Sequence, residues 1–128
     1  MKCPCFSGEE YAVCCAPYHE GRWAETPLKL MRSRYAAYAL RKVDYIIETT
    51  ATALQKEHRP LTRWKQEIAQ FSDTVSFDGL TIASAEDSFV TFTARLSQNG
   101  NDRSFTEKSR FEEENGRWVY AGAQPNSE

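Results

Sequence analysis

Residues 89–122 read FVTFTARLSQNGNDRSFTEKSRFEEENGRWVYAG. Apolar and polar residues alternate in the first part of this stretch, which is typical of a β-strand with one buried face. The pairs Asn99-Gly100 and Asn115-Gly116 interrupt the pattern, and such pairs favour tight hairpin turns. The stretch therefore predicts antiparallel strands at about residues 89–96, 103–113 and 117–122.

The residues just before this stretch predict one further strand. Val75 and Phe77 alternate with polar residues, and Leu80 and Ile82 resume the alternation after Asp78-Gly79. A glycine at such a break favours a turn or a β-bulge. Four strands joined by short turns predict a curved antiparallel meander.

Helical spacing dominates the residues that precede the strands. Thr26 and Pro27 favour a helix start, and the helix that follows carries an apolar face that leaves out Arg32 and Arg34: Leu28, Met31, Tyr35, Tyr38 and Ala39. Residues 43–50 and 61–71 predict two more helices, whereas residues 16–25 indicate a linker and residues 51–59 form a polar stretch without a predicted element. Helices followed by a meander define an α+β fold.

The four cysteines of the chain lie together in CPCFSGEEYAVCC, residues 3–15. Two close pairs separated by a turn at Ser7-Gly8 can surround one metal ion, and four thiolates are a typical structural zinc set without an open position. We therefore predict a structural zinc knuckle held by Cys3, Cys5, Cys14 and Cys15. Buried free thiols or two adjacent disulfides are the alternative, and His19 is either an exposed residue or a substitute ligand.

The same segment resembles the SEC-C motif, which has the pattern C-x-C-x-S-G-x-x-Y-x-x-C-C. Cys3, Cys5, Ser7, Gly8, Tyr11, Cys14 and Cys15 match it, whereas Phe6 stands where the motif usually has glycine. The resemblance implies zinc binding and contacts with proteins or ribosomes.

A second resemblance extends over nearly the whole chain. The segments MRSRYAAYAL at residues 31–40, EKSRF at residues 107–111 and GRWVY at residues 116–120 are similar to the YchJ family of small uncharacterised bacterial proteins. That resemblance implies a nuclear-transport-factor-2-like (cystatin-like) domain, in which helices line a cone closed by a bent antiparallel sheet. We expect the zinc knuckle at residues 1–20 and the cone domain at residues 26–123.

Charge and composition limit the kinds of partner and the location that we expect for the protein. The chain has 128 residues and a net charge of −2, and it contains no apolar run that could cross a membrane and no recognisable secretory signal, so we expect a cytoplasmic protein. Residues 22–42 are locally basic, with six cations against one acid: Arg22, Lys29, Arg32, Arg34, Arg41 and Lys42. They are either a solvated surface or a surface for nucleic acid or the ribosome.

One strand predicts polar residues inside the cone. Alternation places Glu107 and Ser109 on the same face as Phe105 and Phe111. A carboxylate on an inner face requires a partner, and the candidates are Arg34, Tyr35, Tyr38 and Trp64. The group forms either a small-molecule pocket or a buried bridge that ties helix to sheet.

These features support three functional hypotheses. The first is a zinc-bearing adaptor that binds a protein partner through the knuckle. The second is a small-molecule-binding protein or an enzyme that uses the cone, and the third is nucleic-acid or ribosome binding through residues 22–42. No nucleophile motif, phosphate loop or dinucleotide fingerprint is present, so the sequence favours a non-enzymatic role and leaves the enzyme alternative open.

Overall fold

A computed structural model of the chain describes residues 1–124. A short 3₁₀ helix at Tyr11–Val13 is followed by five α-helices: α1 (Ala16–His19), α2 (Pro27–Ala39), α3 (Val43–Glu48), α4 (Thr52–Glu57) and α5 (Leu61–Thr74). The strands that follow are β1 (Ser76–Glu86), β2 (Phe89–Gln98), β3 (Asn101–Asp102), β4 (Phe105–Glu114) and β5 (Arg117–Ala123). The predicted α+β order of helices before a curved antiparallel sheet is confirmed.

The sheet has the order β1-β2-β4-β5, and the short strand β3 pairs with β2 beyond the Asn99-Gly100 turn. The predicted irregularity in β1 is present, since the register with β2 shifts between Phe77 and Gly79. A second shift follows between Ile82 and Ser84. These bulges increase the twist of a strand and help the sheet to curve around the helices.

Two helices differ from the sequence prediction. The supposed linker contains α1, which begins directly after Cys15, and the polar stretch before Pro60 contains α4. Both helices are short, with four and six residues, so they offer little periodicity by which a sequence pattern could be recognised.

Helix α2 occupies the centre of the molecule. Thr26 caps it, because its hydroxyl oxygen accepts a hydrogen bond from the Lys29 backbone N–H at 3.2 Å, and Pro27 takes the first helical position. Eight of its thirteen residues are buried, including Ser33 and Arg34. The prediction that Arg34 lies away from the buried face was wrong, because the helix is covered on more than one side.

The main core lies between the concave face of the sheet and helices α2, α3 and α5. Leu30, Ile46 and Val90 are fully enclosed there, and Phe111 is 2% exposed. The segment after α3 also joins the edge of the sheet, because Ala51 N–H donates to the Tyr120 carbonyl at 2.8 Å and Tyr120 N–H donates to the Thr49 carbonyl at 2.7 Å. This connection brings Thr49 and Thr50 next to Arg34.

The cysteine segment packs directly against the helical layer. Cys3, Cys5 and Cys15 form a small buried cluster with Ala36 of α2. Two aromatic residues that follow the cysteines also contact the main body: Tyr18 is buried in the main core, and the Trp23 indole donates to the Trp118 carbonyl at 3.2 Å. The division of the chain into a zinc knuckle at residues 1–20 and a cone domain at residues 26–123 stays a prediction.

Candidate functional site

The four cysteine thiols converge at the N-terminal end of the fold. All four sulfur atoms lie within 4.8 Å of one another, with 3.7 Å between Cys5 and Cys14 and 4.0 Å between Cys14 and Cys15. Four sulfurs at Zn–S distances of about 2.3 Å around a tetrahedral ion lie about 3.8 Å apart. The donor set and its spacing therefore fit a metal ion, and all four thiols are free rather than joined in disulfides.

Electrostatics within the cluster also favours a cation. Hydrogen bonding from Cys15 lowers the pKa of Cys5 to about 4, whereas burial raises the pKa of Cys3 to about 11. The pKa of Cys15 is raised by its hydrogen bond to Cys5 and by burial. Because one thiolate disfavours ionisation of its neighbours, four thiolates can coexist only around a cation.

The other residues of the motif support this cluster. Ser7 Oγ lies 3.2 Å from the Cys14 sulfur and accepts a hydrogen bond from the Glu9 backbone N–H at 3.1 Å. Gly8 has a φ of +90°, which a side chain would disfavour. Arg32 Nη1 donates to the Cys5 carbonyl at 3.0 Å and lies 4.0 Å from its sulfur. Positive charge beside the cluster would partly offset the negative charge of four thiolates around a bound metal ion.

Phe6 occupies a position that explains the usual glycine. Its φ is +62°, in the left-handed region that glycine adopts without strain. The residue is 48% exposed, and its ring meets the ring of Tyr35 edge-on, with the centroids 6.2 Å apart. The aromatic residue therefore adds a contact between the cysteine segment and α2.

His19 differs from both alternatives drawn from the sequence. It is half-buried, its Nδ1 lies 2.7 Å from the Tyr11 hydroxyl, and its Nε2 lies 2.8 Å from the Ser33 carbonyl. A carbonyl accepts only, so Nε2 carries the proton and Nδ1 accepts from Tyr11. Burial lowers the pKa of His19. The residue connects the cysteine segment to α2 rather than standing exposed.

A cavity of about 360 Å³ opens between the concave face of the sheet and helices α2 and α5. Its walls are mainly aromatic, and the volume lies within the range of small-molecule sites. All six residues predicted for a pocket line this cavity: Arg34, Tyr35, Tyr38, Trp64, Glu107 and Ser109. The structure thus brings these residues together, and their role in binding stays a proposal.

Glu107 has partners that sequence reasoning did not find. Its Oε2 accepts hydrogen bonds from Ser109 Oγ at 2.5 Å and from the Tyr120 hydroxyl at 3.0 Å. No ion pair within 4.0 Å joins Glu107 to any cation among residues 1–124, so the suggested bridge from helix to sheet is not formed. Burial raises the pKa of Tyr120, and the charge of Glu107 adds to this effect, so the phenol remains a donor.

Tyr120 lines the cavity but was not among the residues predicted for it. The two-residue turn at Asn115-Gly116 pairs Glu114 with Arg117, and continuing this register places Tyr120 opposite Phe111. Directly paired residues lie on the same face of a sheet. The register of the hairpin was therefore a signal that could have identified Tyr120.

The remaining aromatic and polar positions complete the walls. The Tyr35 hydroxyl donates to the Gly79 carbonyl at 2.9 Å, and burial raises the pKa of Tyr35 to about 12. His58 stacks on Trp64 with ring centroids 4.6 Å apart. Tyr35 is thus held in place by the bulge of β1, and Trp64 is covered by the residue that follows α4.

The basic residues of residues 22–42 do not form one free cationic patch. Arg22 and Lys29 pair with Glu25, and Arg41 pairs with Asp73 at 3.0 Å. Arg34 is buried and Arg32 is hydrogen-bonded to the cysteine segment. Nucleic-acid or ribosome binding stays a prediction that these contacts do not support. Within residues 1–124, no helix combines the length and the apolar character that crossing a membrane requires.

The fold and the cysteine cluster together define a class: a nuclear-transport-factor-2-like α+β domain with an N-terminal cluster able to hold a metal ion. The family profile described as "YchJ, middle NTF2-like domain" matches residues 26–123. The chain therefore belongs to the YchJ family, as the resemblance in the sequence implied.

Relatives and solved structures agree with this assignment. A "UPF0225 protein" from Deinococcus radiodurans is 42% identical over 94% of this chain and 87% of its own length. One from Enterobacter sp. (strain 638) is 36% identical over 96% of this chain and 83% of its own length.

Two solved structures share the fold. A SEC-C motif containing protein from Rhodopseudomonas palustris, solved in solution, is 34% identical with a TM-score of 0.83 and covers 99% of this chain and 100% of its own. A second SEC-C motif containing protein, from Psychrobacter arcticus, is 25% identical with a TM-score of 0.75 over 98% of this chain and 82% of its own.

Proposed function

We propose that the protein binds a small organic molecule in the cavity of its cone, and that a structural Zn²⁺ in the cysteine cluster fixes the N-terminal segment against the helical wall of that cavity. The observation that carries the proposal is an open, aromatic-lined cavity of about 360 Å³ with a carboxylate, Glu107, inside it. A polar group within an apolar cavity orients a ligand, whereas a cone filled by its own side chains would need none.

The zinc assignment follows from the donor set. Thiolates select soft or borderline ions, and four of them at near-tetrahedral spacing suit Zn²⁺. Because all four positions are taken by the protein, the ion would crosslink the segment and would offer no site for a substrate. Three of the four cysteines are packed with Ala36, so the crosslink would stabilise the helix that also carries the cavity residues Arg34 and Tyr35.

Metal content tests the zinc assignment. Inductively coupled plasma mass spectrometry of protein purified without chelators should give about one zinc per chain, and Cys14→Ser should lower this content strongly. Ser84 is an exposed serine, and Ser84→Ala is the control variant. Full zinc content in Cys14→Ser, or a different metal in the wild-type protein, would contradict the assignment.

The cavity is tested with an uncharged fluorescent probe, N-phenyl-1-naphthylamine, whose emission rises in apolar surroundings. Ala94 lines the cavity and is 2% exposed, so Ala94→Phe places a ring into the empty space. Thr91→Phe adds the same ring to the opposite face of the same strand and is the matched control. We expect probe binding in the wild-type protein and in Thr91→Phe and a loss in Ala94→Phe; equal binding by both variants would refute the proposal.

Protein binding through the knuckle is a second candidate. Three apolar residues within the predicted knuckle, residues 1–20, are exposed, and exposed apolar groups favour interaction surfaces: Met1, Phe6 and Val13. Val13 is 73% exposed and is not a cysteine, so Val13→Asp changes the surface and leaves the thiols in place. An affinity experiment in which wild-type protein and Val13→Asp retain the same partners would remove the knuckle from this role.

A further inference from the structure

Arg34 is a buried cation without an anionic partner. The residue is 8% exposed, and its Nη1 donates to the Ile46 carbonyl at 3.0 Å, to Thr49 Oγ1 at 2.7 Å and to Thr50 Oγ1 at 3.2 Å. No carboxylate of residues 1–124 lies within ion-pair distance of it. Burying a charge without a counter-charge is costly, so the arrangement calls for an anion from outside the chain.

Two nitrogens of the Arg34 guanidinium make no hydrogen bond to the described part of the chain. All three hydrogen bonds of Arg34 use Nη1, so Nε and Nη2 have no acceptor in the described part of the chain. Both atoms are accessible to solvent. Ser72 Oγ is the one fully buried side-chain nitrogen or oxygen in residues 1–124 that has no hydrogen-bond partner. Arg34 also lines the cavity, so a ligand there would lie beside a guanidinium that has two unused nitrogens. Two adjacent N–H groups of arginine match the two oxygens of a carboxylate.

Glu107 offers the opposite polarity in the same cavity. Both of its hydrogen bonds end on Oε2, and Oε1 accepts from no group among residues 1–124. Tyr120 contacts both charged residues. Its ring centroid lies 4.8 Å from the Arg34 guanidinium carbon, and its hydroxyl donates a hydrogen bond to Glu107. The cation and the acceptor therefore both contact Tyr120 and are not paired with each other.

This polarity restricts the chemistry of a ligand. A wholly apolar molecule would remove water from both charged groups without replacing the hydrogen bonds of that water. A dianion would be repelled by Glu107, and a dication by Arg34. The walls between the charges are aromatic, including Phe92 and Phe105, and suit an apolar body. We propose, building on the proposed function above, that the ligand is a small apolar carboxylic acid that also carries a hydroxyl or ammonium group. Arg34 binds its carboxylate, and Glu107 accepts from its donor.

Three rigid probes separate these contributions: 6-hydroxy-2-naphthoate, its neutral amide 6-hydroxy-2-naphthamide, and 2-naphthoate. Binding is measured by isothermal titration calorimetry on the full-length, metal-loaded protein. The hydroxynaphthoate should bind most tightly. Hydrogen bonds to charged groups predict that replacing its carboxylate by the amide weakens binding by about tenfold to a hundredfold, and that removing its hydroxyl weakens binding by about tenfold.

Variants assign the two ends of the probe. Arg34→Gln should abolish the preference for the carboxylate over the amide. Glu107→Gln should bind 2-naphthoate more tightly than the wild-type protein, because a nearby negative charge is removed, and should lose the advantage of the hydroxyl. Lys108→Gln changes a neighbouring residue on the exposed face of β4 and serves as the control. If Arg34→Gln does not fold, binding of the three probes by the wild-type protein and by Glu107→Gln still tests the proposed ligand class.

The outcomes distinguish this inference from the function on which it rests. Equal affinity for the three probes would overturn the ligand class but leave a cavity that binds apolar molecules. A carboxylate preference that persists in Arg34→Gln would overturn the role of Arg34. Absence of binding by all three probes and by N-phenyl-1-naphthylamine would refute both the ligand class and the proposed function.

Discussion

Replacing His19 by alanine should lower the free energy of unfolding by about 3 kcal/mol. The side chain makes one hydrogen bond to Tyr11 at 2.7 Å and one to the Ser33 carbonyl at 2.8 Å, each worth about 1 kcal/mol. Its ring also meets Tyr45 edge-on at 4.8 Å between centroids, which adds about 1 kcal/mol for a half-buried aromatic pair. The substitution removes these three contacts, through which His19 connects Tyr11 to Ser33 of α2 and Tyr45 of α3.

The chain supplies its own control, because it contains a second histidine. His58 is exposed and stacks on Trp64, so His58→Ala should cost less than about 1 kcal/mol. Urea denaturation followed by circular dichroism, on both variants at equal metal content, measures the difference. For a domain of this size the His19 variant should also melt about 10 °C lower than the wild-type protein.

Two results would refute this reasoning. Equal losses in the two variants would mean that the bonds of His19 contribute nothing beyond an ordinary surface ring. A loss in His19→Ala that disappears when metal is removed from both proteins would mean that His19 acts through the metal cluster rather than through α2.

Three further predictions follow from individual contacts. Burial lowers the pKa of His19, so the unfolded chain takes up a proton at a higher pH than the folded protein does. The contribution of His19 to stability is therefore full above pH 6.5 and falls as the pH drops below that value. An imidazole NMR titration of His19 with a midpoint above 6.5 would contradict this. Tyr120→Phe removes a donor to Glu107 and should destabilise the protein by about 1 kcal/mol in thermal unfolding, whereas Tyr38→Phe, another cavity tyrosine, should change stability little. Thr26→Ala should cost about 1 kcal/mol through loss of the helix cap and Thr26→Ser much less, and equal values would exclude the cap as the cause.

Local patterns predicted the elements whose signals lie within a few residues. Asn99-Gly100 and Asn115-Gly116 located the hairpins, because both asparagines and both glycines take positive φ angles in these turns. Thr26 and Pro27 located the start of α2 for a similar reason, since a cap depends on residues three positions apart. The cysteine cluster was also readable, because the two pairs that form it are separated by only eight residues.

The candidate cavity was predictable in part. Alternation along β4 placed Glu107 and Ser109 on one face of the strand, and both residues line the cavity, since period-two alternation needs only the strand itself. The partners of Glu107 required the register of β5, which a sequence pattern specifies only through the turn. Tyr120 was therefore missed, although the turn at Asn115-Gly116 fixes its position opposite Phe111.

The amino-acid sequence alone established the α+β order, the hairpins and the convergence of four thiols, because each depends on short-range spacing. The surroundings of Arg34 and His19 depend on residues that are distant along the chain or on other elements. Arg34 is buried because Thr49 and Thr50 reach it from the segment bound to β5, and His19 is half-buried because α1 folds back onto α2. Periodicity treats a polar residue as a surface residue, and only the packing of several elements around α2 reverses that expectation.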